Sequence, residues 1–408
     1  MSPKRKIYPR LQLDITFSDL IASLGSFLYI SDRERNIKEI QSFWQGDKDV
    51  LVTLSVRTSL DLLLQSLKLP PGSEVLMSAV NIRDMIEIVK RHGLVPIPVD
   101  ISLDTLAPSL ELLDKLISEK SRVFIIAHLF GSIIDLEPYT QLCKKNNILL
   151  IEDCAQAFAG SHYYGHPDAD VSLFSFGSIK SCTALGGAIA LIGNKNLAHK
   201  MRSIEQQYPL RSESWFFKRI LKYLVLKLFS IPWIYYYLLN FLSLLYPNPD
   251  AVINSLTRGF SQGDILSKIR YRPPNRMISL LNRRLKTCNN QWFERRGANA
   301  RQFLSMLLPE IYCPGHKADY NSFWVFPILV LHPELLIARL RENGFDSTRG
   351  NTSLTCVDSS QSPASHPMNE KYLIEHVIYL PVTASLSETE RLSLSKLVNE
   401  FYKQSLNT

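Results

Sequence analysis

The chain has 408 residues, 46 % apolar and 21 % charged; these are the proportions of a folded globular protein, and the length exceeds what one hydrophobic core usually holds, so two domains are expected. The formal net charge of +8 raises nucleic acid as a partner, but the basic residues are dispersed and no zinc-finger, RNP or helix-turn-helix signature is present, which sets nucleic acid aside. Cys143, Cys154, Cys182, Cys288, Cys313 and Cys356 form no C-x-x-C pair, so neither zinc nor a disulfide framework is expected, and a reducing cytoplasm is the simple reading. The opening MSPKRKIYPRLQLD lacks the apolar stretch of a signal peptide.

From Asp49 to Ile192 short β-branched runs alternate with helical stretches, the pattern of a mostly parallel sheet with crossover helices. The runs are VLVTLS (50–55), EVLMSAV (74–80), VPIPVD (95–100), RVFIIAHLF (122–130), NILLIED (147–153), VSLFSF (171–176) and GAIALIG (187–193). SLDLLLQSLKL, DMIEIVKRHG and LEPYTQLCKKN lie between them with apolar residues at helical spacing. Ligands of such sheets bind beyond the carboxyl ends of the strands, where Asp153 and Ser55 fall.

Residues 215–247 interrupt this order with WFFKRILKYLVLKLFSIPWIYYYLLNFLSLLYP, in which Leu228 to Tyr246 carry no charge over 19 residues. That length could span a bilayer, but one span would separate the two halves of the chain. The insert then either lies in or bends through one membrane face near Pro232, with Lys218, Arg219, Lys222 and Lys227 toward anionic lipid, or is a helical pair buried in the core or a dimer interface.

After it, residues 322–402 read as a smaller mixed domain. SFWVFPILVLH suggests a strand, PELLIARLRENG a helix ending at Gly344, HVIYLPV a second strand, and SETERLSLSKLVNEFYKQ a closing helix with Ser387 and Glu390 as a capping box. The polar segment 351–371 is expected to be a loop. The domains expected are 1–260, carrying the insert, and 261–408, a linking helix with the small domain.

Asp153 ends an apolar strand, and Lys180 follows 27 residues later in a Ser-rich turn. This order suits pyridoxal 5'-phosphate. The cofactor's ring nitrogen must stay protonated for the ring to accept electrons, which a carboxylate beside it ensures. Its aldehyde is held covalently by a lysine amine that a desolvated site makes nucleophilic. Asp153 and Lys180 are expected in these roles.

Asp153-Cys154-Ala155-Gln156, then Phe174-Ser175-Phe176 through Lys180, and Gly186-Gly187 together resemble the DegT/DnrJ/EryC1/StrS family of sugar aminotransferases. The resemblance implies an α/β fold of pyridoxal-phosphate fold type I, with a mostly parallel central sheet and a smaller α+β C-terminal domain. It also implies a homodimer, an amino-acid donor such as glutamate, and a keto-sugar acceptor on a nucleotide. Lys180 would hold the cofactor and move the proton, Gln156 would lie near the ring, and Ser175 would touch the phosphate. The Gly344-Phe345 and Leu380-Pro381 pairs of the smaller domain also match. Family dehydratases carry histidine in place of the lysine, which Lys180 argues against. The insert raises a lipid-linked acceptor as an alternative, and a cofactor-binding regulator without turnover is another.

Three departures from the family pattern stand out. In Ser55-Val56-Arg57-Thr58-Ser59-Leu60, Val56 replaces a glycine and Arg57 a small hydroxyl residue; Arg57 and Thr58 are candidates for the phosphate, Arg57 otherwise pointing to solvent. Ile82 stands where an aromatic usually stacks on the ring. Asn275, in Pro274-Asn275-Arg276-Met277, matches an asparagine that reaches the partner subunit's cofactor phosphate, although two prolines precede it. His128 and Gly131 of AHLFG match a further block, with His128 expected to be a satisfied core histidine.

Overall fold

The structure, a computed structural model, describes residues 6–10, 12–29, 31–44, 46–246, 252, 264–350, 354–358 and 368–405. Seven strands form the main sheet: β1 (Asp49–Thr53), β2 (Glu74–Ser78), β4 (Val95–Val99), β5 (Ser121–Ala127), β7 (Leu149–Asp153), β8 (Val171–Ser175) and β9 (Ala188–Ile192). Their order is β1-β9-β8-β7-β5-β2-β4, and β9 alone runs against its neighbours. Each coincides with one of the seven apolar runs, because strands covered on both faces have no solvent side to encode.

Successive residues divide between the faces. Leu51, Val75, Met77, Val123, Ile125 and Val171 pack with the helices Val56–Leu67, Arg83–Arg91 and Lys195–Gln207 on one side. Leu76, Phe124, Ile126 and Leu150, with Val50, Val52 and Phe174 farther along, bury the other. Such coverage leaves the carboxyl ends of the parallel strands as the open rim of the sheet.

The short strands β3 (Val80–Asn81) and β6 (Ser132–Ile133) lie beyond β2 and β5, and β10 (Tyr320–Asn321) pairs with β6. A second sheet, β11 (Phe326–Leu329), β14 (Val377–Leu380) and β12 (Thr348–Arg349), packs with the helices Pro333–Glu342 and Glu388–Ser405. The capping box is present: Ser387 N–H donates to Glu390 Oε2 at 2.9 Å, and Glu390 N–H to Ser387 Oγ at 3.4 Å. One expectation fails here. Within the segment read as a loop, β13 (Thr355–Cys356) pairs antiparallel with β3, a two-residue strand whose partner lies far off in sequence. Residues 351–353 and 359–367 of that segment lie outside the described residues, as does the expected domain boundary at 260/261.

The insert is the helix pair Glu213–Phe229 and Pro232–Leu245, bent by 100° at the break before Pro232. Among the described residues no single helix is long and apolar enough to cross a membrane. The pair is not buried as a whole. Phe216, Ile220 and Tyr223 join the main core, and Tyr235 and Leu239 pack with Ile7. The opposite faces expose Phe217, Leu221, Val225 and Leu228 on the first helix and Trp233, Tyr237, Phe241 and Leu244 on the second. Two of the four cations expected to face lipid turn inward. Arg219 Nε donates to the Leu185 carbonyl, and Lys227 Nζ to the Leu13 carbonyl at 2.8 Å; a cation on a packed face meets the protein's own carbonyls first.

Candidate active site

The lysine sits on the loop of the β8–β9 hairpin, residues 176–187, whose base is the Ser175–Ala188 pair. Three donors converge on the Phe176 carbonyl: the N–H groups of Ala184 at 3.1 Å and Gly186 at 3.0 Å, and the Thr183 hydroxyl at 3.2 Å. The Lys180 N–H closes a turn on the Gly177 carbonyl at 2.9 Å. The glycine pair has a packing reason: a Cβ on Gly186 would lie 3.1 Å from Met277 Sδ, so the bare backbone lets the helix Asn275–Lys286 close on the loop.

Lys180 Nζ lies 3.9 Å from the centroid of the Trp324 ring, and the indole N–H donates to the Ile179 carbonyl at 3.0 Å. Burial brings the amine down to about 7, assisted by the Arg57 charge and opposed by that of Asp153. Asp153 ends β7 and is itself buried. Burial pushes its carboxyl up, against the Ala155 N–H at 3.0 Å from Oδ1 and the charges of Lys180, His128 and Arg57. An amine near 7 is substantially neutral, and so nucleophilic, at physiological pH.

The other expected residues divide. Ser175, at the end of β8, accepts the Gly177 N–H at 3.4 Å, and a Cβ built on Gly177 would lie within 4 Å of both Ser175 Oγ and Lys180 Cγ, so serine and lysine share one turn. Gln156 follows Asp153 in a turn, and its Oε1 accepts the Phe130 N–H at 2.8 Å. Arg57, in the first turn of the helix Val56–Leu67, donates through Nε to Asp84 Oδ2 at 2.5 Å, and its charge reaches Lys180 and Asp153. It does not simply point to solvent.

Thr58 is fully buried and donates to the Ile269 carbonyl at 2.9 Å, with Ser55 Oγ 3.0 Å away; its hydroxyl is committed to the fold. Asn275 receives Arg33 on its Oδ1 at 3.1 Å, while its N–H donates to Glu213 at 2.7 Å. Ile82 precedes the helix Arg83–Arg91 and packs with apolar neighbours on either side. His128 is the satisfied core histidine expected: Nδ1 accepts the Ile134 N–H at 3.1 Å, which leaves Nε2 to donate to Glu152 at 2.8 Å. Glu152 also accepts from Tyr163 and from the His166 N–H at 3.0 Å.

Sequence reasoning missed Trp324 and Arg296, which line one cleft with Lys180, Ser181, Arg10 and Asp14. Neither stands in a distinctive pattern. Gly131 was noted only as a motif match; a Cβ there would lie 2.5 Å from Ser322 Oγ, so this glycine admits the segment that carries Trp324.

These residues fit pyridoxal phosphate. A buried lysine with a lowered pKa offers the covalent attachment point, a buried carboxylate in electrical contact with it suits a protonated ring nitrogen, and Ser175 with the helix start at Val56 and Arg57 suits a phosphate.

Residues 32–217 match the DegT/DnrJ/EryC1/StrS aminotransferase family. The chain is 31 % identical over 201 residues to the GDP-perosamine synthase of Escherichia coli O157:H7, covering 48 % of this chain and 52 % of that protein; it thus spans about half the length of this curated relative. In fold, it superposes on the aminotransferase TlmJ of Streptoalloteichus hindustanus with a TM-score of 0.71 at 15 % identity, over 98 % of this chain and 99 % of that one. PseC of Helicobacter pylori, an aminotransferase involved in the biosynthesis of pseudoaminic acid, gives 0.72 at 16 % identity, over 98 % and 100 %. The chain therefore has the pyridoxal-phosphate fold type I, and over residues 32–217, which hold Asp153, Gln156, Ser175 and Lys180, it resembles the DegT/DnrJ/EryC1/StrS aminotransferase family.

Proposed function

We propose that this protein is a pyridoxal-phosphate-dependent aminotransferase that moves an amino group from an amino acid, glutamate, to a keto sugar carried on a nucleotide. The observation that carries the reading is the buried Lys180 amine, brought down to about 7 in the electrostatic reach of Asp153. The nucleotide-sugar acceptor rests on the similarity to GDP-perosamine synthase.

When bound, the cofactor supplies an electron sink for the bonds at the donor's Cα. Lys180 would hold it covalently and, once displaced by the donor, take the proton from Cα through Nζ. Asp153 would keep its own charge beside a protonated ring nitrogen, which offsets the burial that pushes the carboxyl up. Ser175 and Arg57 would receive the phosphate, with Asp84 orienting the guanidinium, and Gln156 would lie at the ring edge. Thr58 would act indirectly, by fixing the turn through Ser55. In a homodimer Asn275 would reach the partner's phosphate through its amide nitrogen, which has no acceptor among the described residues.

The six cysteines are free, in keeping with a reducing cytoplasm. Peripheral attachment to the inner membrane face is proposed on the outward apolar stripes of the insert and the exposed Lys218. With Arg219 and Lys227 turned inward, apolar burial would dominate over charge.

The test is incubation of the cofactor-loaded protein with L-glutamate and a panel of nucleotide-linked keto sugars, following 2-oxoglutarate and the aminated sugar. Glutamate-dependent amination of at least one sugar is expected. A protein that produces neither compound across the panel contradicts the reading.

A further inference from the structure

Two of the six cysteines meet beside the lysine loop. Cys182 lies on that loop, two residues after Lys180, and Cys288 lies just past the helix Asn275–Lys286. Cys182 is 2 % exposed in the main core, and the partly buried Cys288 packs against the same cluster. Cys182 Sγ donates to the Arg284 carbonyl at 3.3 Å, four residues before Cys288, and the two thiols are also hydrogen-bonded to each other. Both chain segments are pinned where they meet. The Cys182 N–H donates to Asp14 Oδ2 at 2.7 Å, and the Arg284 guanidinium reaches Asp14 at 3.1 Å and Asp19 at 2.7 Å.

The cysteines differ in chemistry. Burial pushes the thiols of Cys143, Cys313 and Cys356 up to about 12, and that of Cys154 up as well. The hydrogen bond with Cys288, then burial, pushes Cys182 up. Cys288 alone goes the other way: its bond with Cys182, aided by the Arg284 charge, outweighs burial and the charge of Asp14. It is also the less enclosed of the two. A reachable thiol that favours its anion, beside a buried thiol that keeps its proton, is the division between an attacking and a resolving cysteine.

We propose that Cys182 and Cys288 are a redox modification site, which hydrogen peroxide converts to a reversible disulfide that ties the lysine loop to the end of the helix Asn275–Lys286 and alters how Lys180 is presented. In the first step the Cys288 thiolate attacks one oxygen of the peroxide. The S–O bond forms, the O–O bond breaks, and the departing hydroxide takes up the proton that Cys288 gave up on ionising, leaving as water. In the second step the Cys182 sulfur attacks the Cys288 sulfur. The S–S bond forms, the S–O bond breaks, and the departing hydroxide takes the Cys182 proton as a second water. The two thiols lose two electrons and the peroxide gains them. A reducing cytoplasm keeps the resting pair as thiols and restores it by thiol exchange. Bonding draws the sulfur atoms from non-bonded contact to about 2.05 Å, a movement on the order of 1 Å or more, and takes the Cys182 S–H from the Arg284 carbonyl. That displacement is passed to Lys180, two residues back.

The test treats the reduced full-length protein with hydrogen peroxide, blocks the remaining thiols with N-ethylmaleimide, and maps its peptides by mass spectrometry. A peptide pair joining Cys182 to Cys288, lighter than its thiol forms by two hydrogens and released by dithiothreitol, is expected. Cys288→Ser should abolish the pair, and Cys182→Ser should leave Cys288 as a sulfenic acid that dimedone traps. Capture of pyridoxal phosphate by the oxidised full chain, followed by stopped-flow absorbance, should slow about 10-fold or more and recover with dithiothreitol. Peroxide should not slow it in Cys288→Ser. A map in which Cys182 and Cys288 stay unlinked, or in which either is joined to another cysteine, overturns the proposal. So does a linked protein that captures the cofactor at the reduced protein's rate. If Cys288→Ser does not fold, Cys182→Ser is held to the same loss of the linked pair. A reduced wild type that captures no pyridoxal phosphate defeats the cofactor reading of Lys180 instead, and the peptide map still decides the disulfide.

Discussion

The amine of Lys180 rests 3.9 Å above the indole of Trp324, and that indole in turn donates its N–H to the carbonyl of Ile179, the residue before the lysine. The contact joins a hairpin loop of the main sheet to the segment that leads into β11, so the reactive group is covered by a residue 144 positions away in the sequence. Cation–π contact favours the charged amine while burial disfavours it, and burial prevails.

Because the amine titrates near 7, covalent capture of pyridoxal phosphate by the apoprotein should accelerate as pH rises and level off above a midpoint near 7. Stopped-flow absorbance over pH 5.5–9.5 would measure it, the range spanning that midpoint. A rate still climbing tenfold per pH unit at the top of the range would contradict the lowered pKa. The linkage sign follows. Between about 7 and 10.5 the unfolded lysine holds a proton that the folded one has lost, so this group makes the apoprotein more stable as pH rises through that window.

Asp153→Asn should retain some cofactor yet lose turnover by orders of magnitude, since an amide cannot hold a protonated ring nitrogen as a carboxylate does. Turnover within about threefold of wild type, a change under roughly 1 kcal/mol, would remove Asp153 from its role.

His128→Leu leaves the buried Glu152 without the imidazole donor 2.8 Å away, and should cost about 1–3 kcal/mol of stability, read as a lower thermal midpoint with the bound-cofactor spectrum kept. Glu152 titrates near 2, against an ordinary value of 4.5, owing to His128, Ser172 and Tyr163, which together outweigh its burial. Its contribution is therefore full above about 4.5 and lost as pH falls toward 2, and the midpoint gap between wild type and variant should narrow over that interval. An equal gap at every pH would separate His128 from the titration of Glu152.

For the insert, the protein should pellet with anionic vesicles, and Trp233→Ser combined with Phe241→Ser and Leu244→Ser should release it, because these side chains face outward while Tyr235, Leu239 and Leu242 hold the helix to the body. Salt should weaken the binding only modestly, with few cations left on the outer face. Parent protein that stays in the supernatant, or binding abolished by moderate salt, would contradict apolar docking.

How much was legible varies with the range of the interaction. The seven main strands declared themselves because burial on both faces writes continuous apolar runs, and the Ser387–Glu390 box because capping is local. Lys180 and Asp153 stood out in the sequence because the chemistry proposed for them demands those residue types in that order, and the structure buries both, with their charges acting on each other. Trp324 and Arg296 were not, since each acquires meaning only when Gly131 admits the 322–324 segment and the helix Asn290–Met306 comes against the lysine loop. The partner of the Thr58 hydroxyl was hidden for a related reason: it sits at a helix start but donates to the carbonyl of Ile269, 211 residues away. The inward turn of Arg219 and Lys227 was equally hidden, because composition says nothing about which side of a helix packs.

The most direct measurement is the near-visible absorbance of Lys180→Ala beside wild type, each incubated with pyridoxal phosphate and freed of unbound cofactor. Wild type should keep a band that changes on addition of L-glutamate. The variant should lose the covalently bound band and all glutamate-dependent amination, since no other amine stands in that loop. A variant that keeps the wild-type band and its response to glutamate would contradict the assignment of Lys180 and, with it, the account of the site.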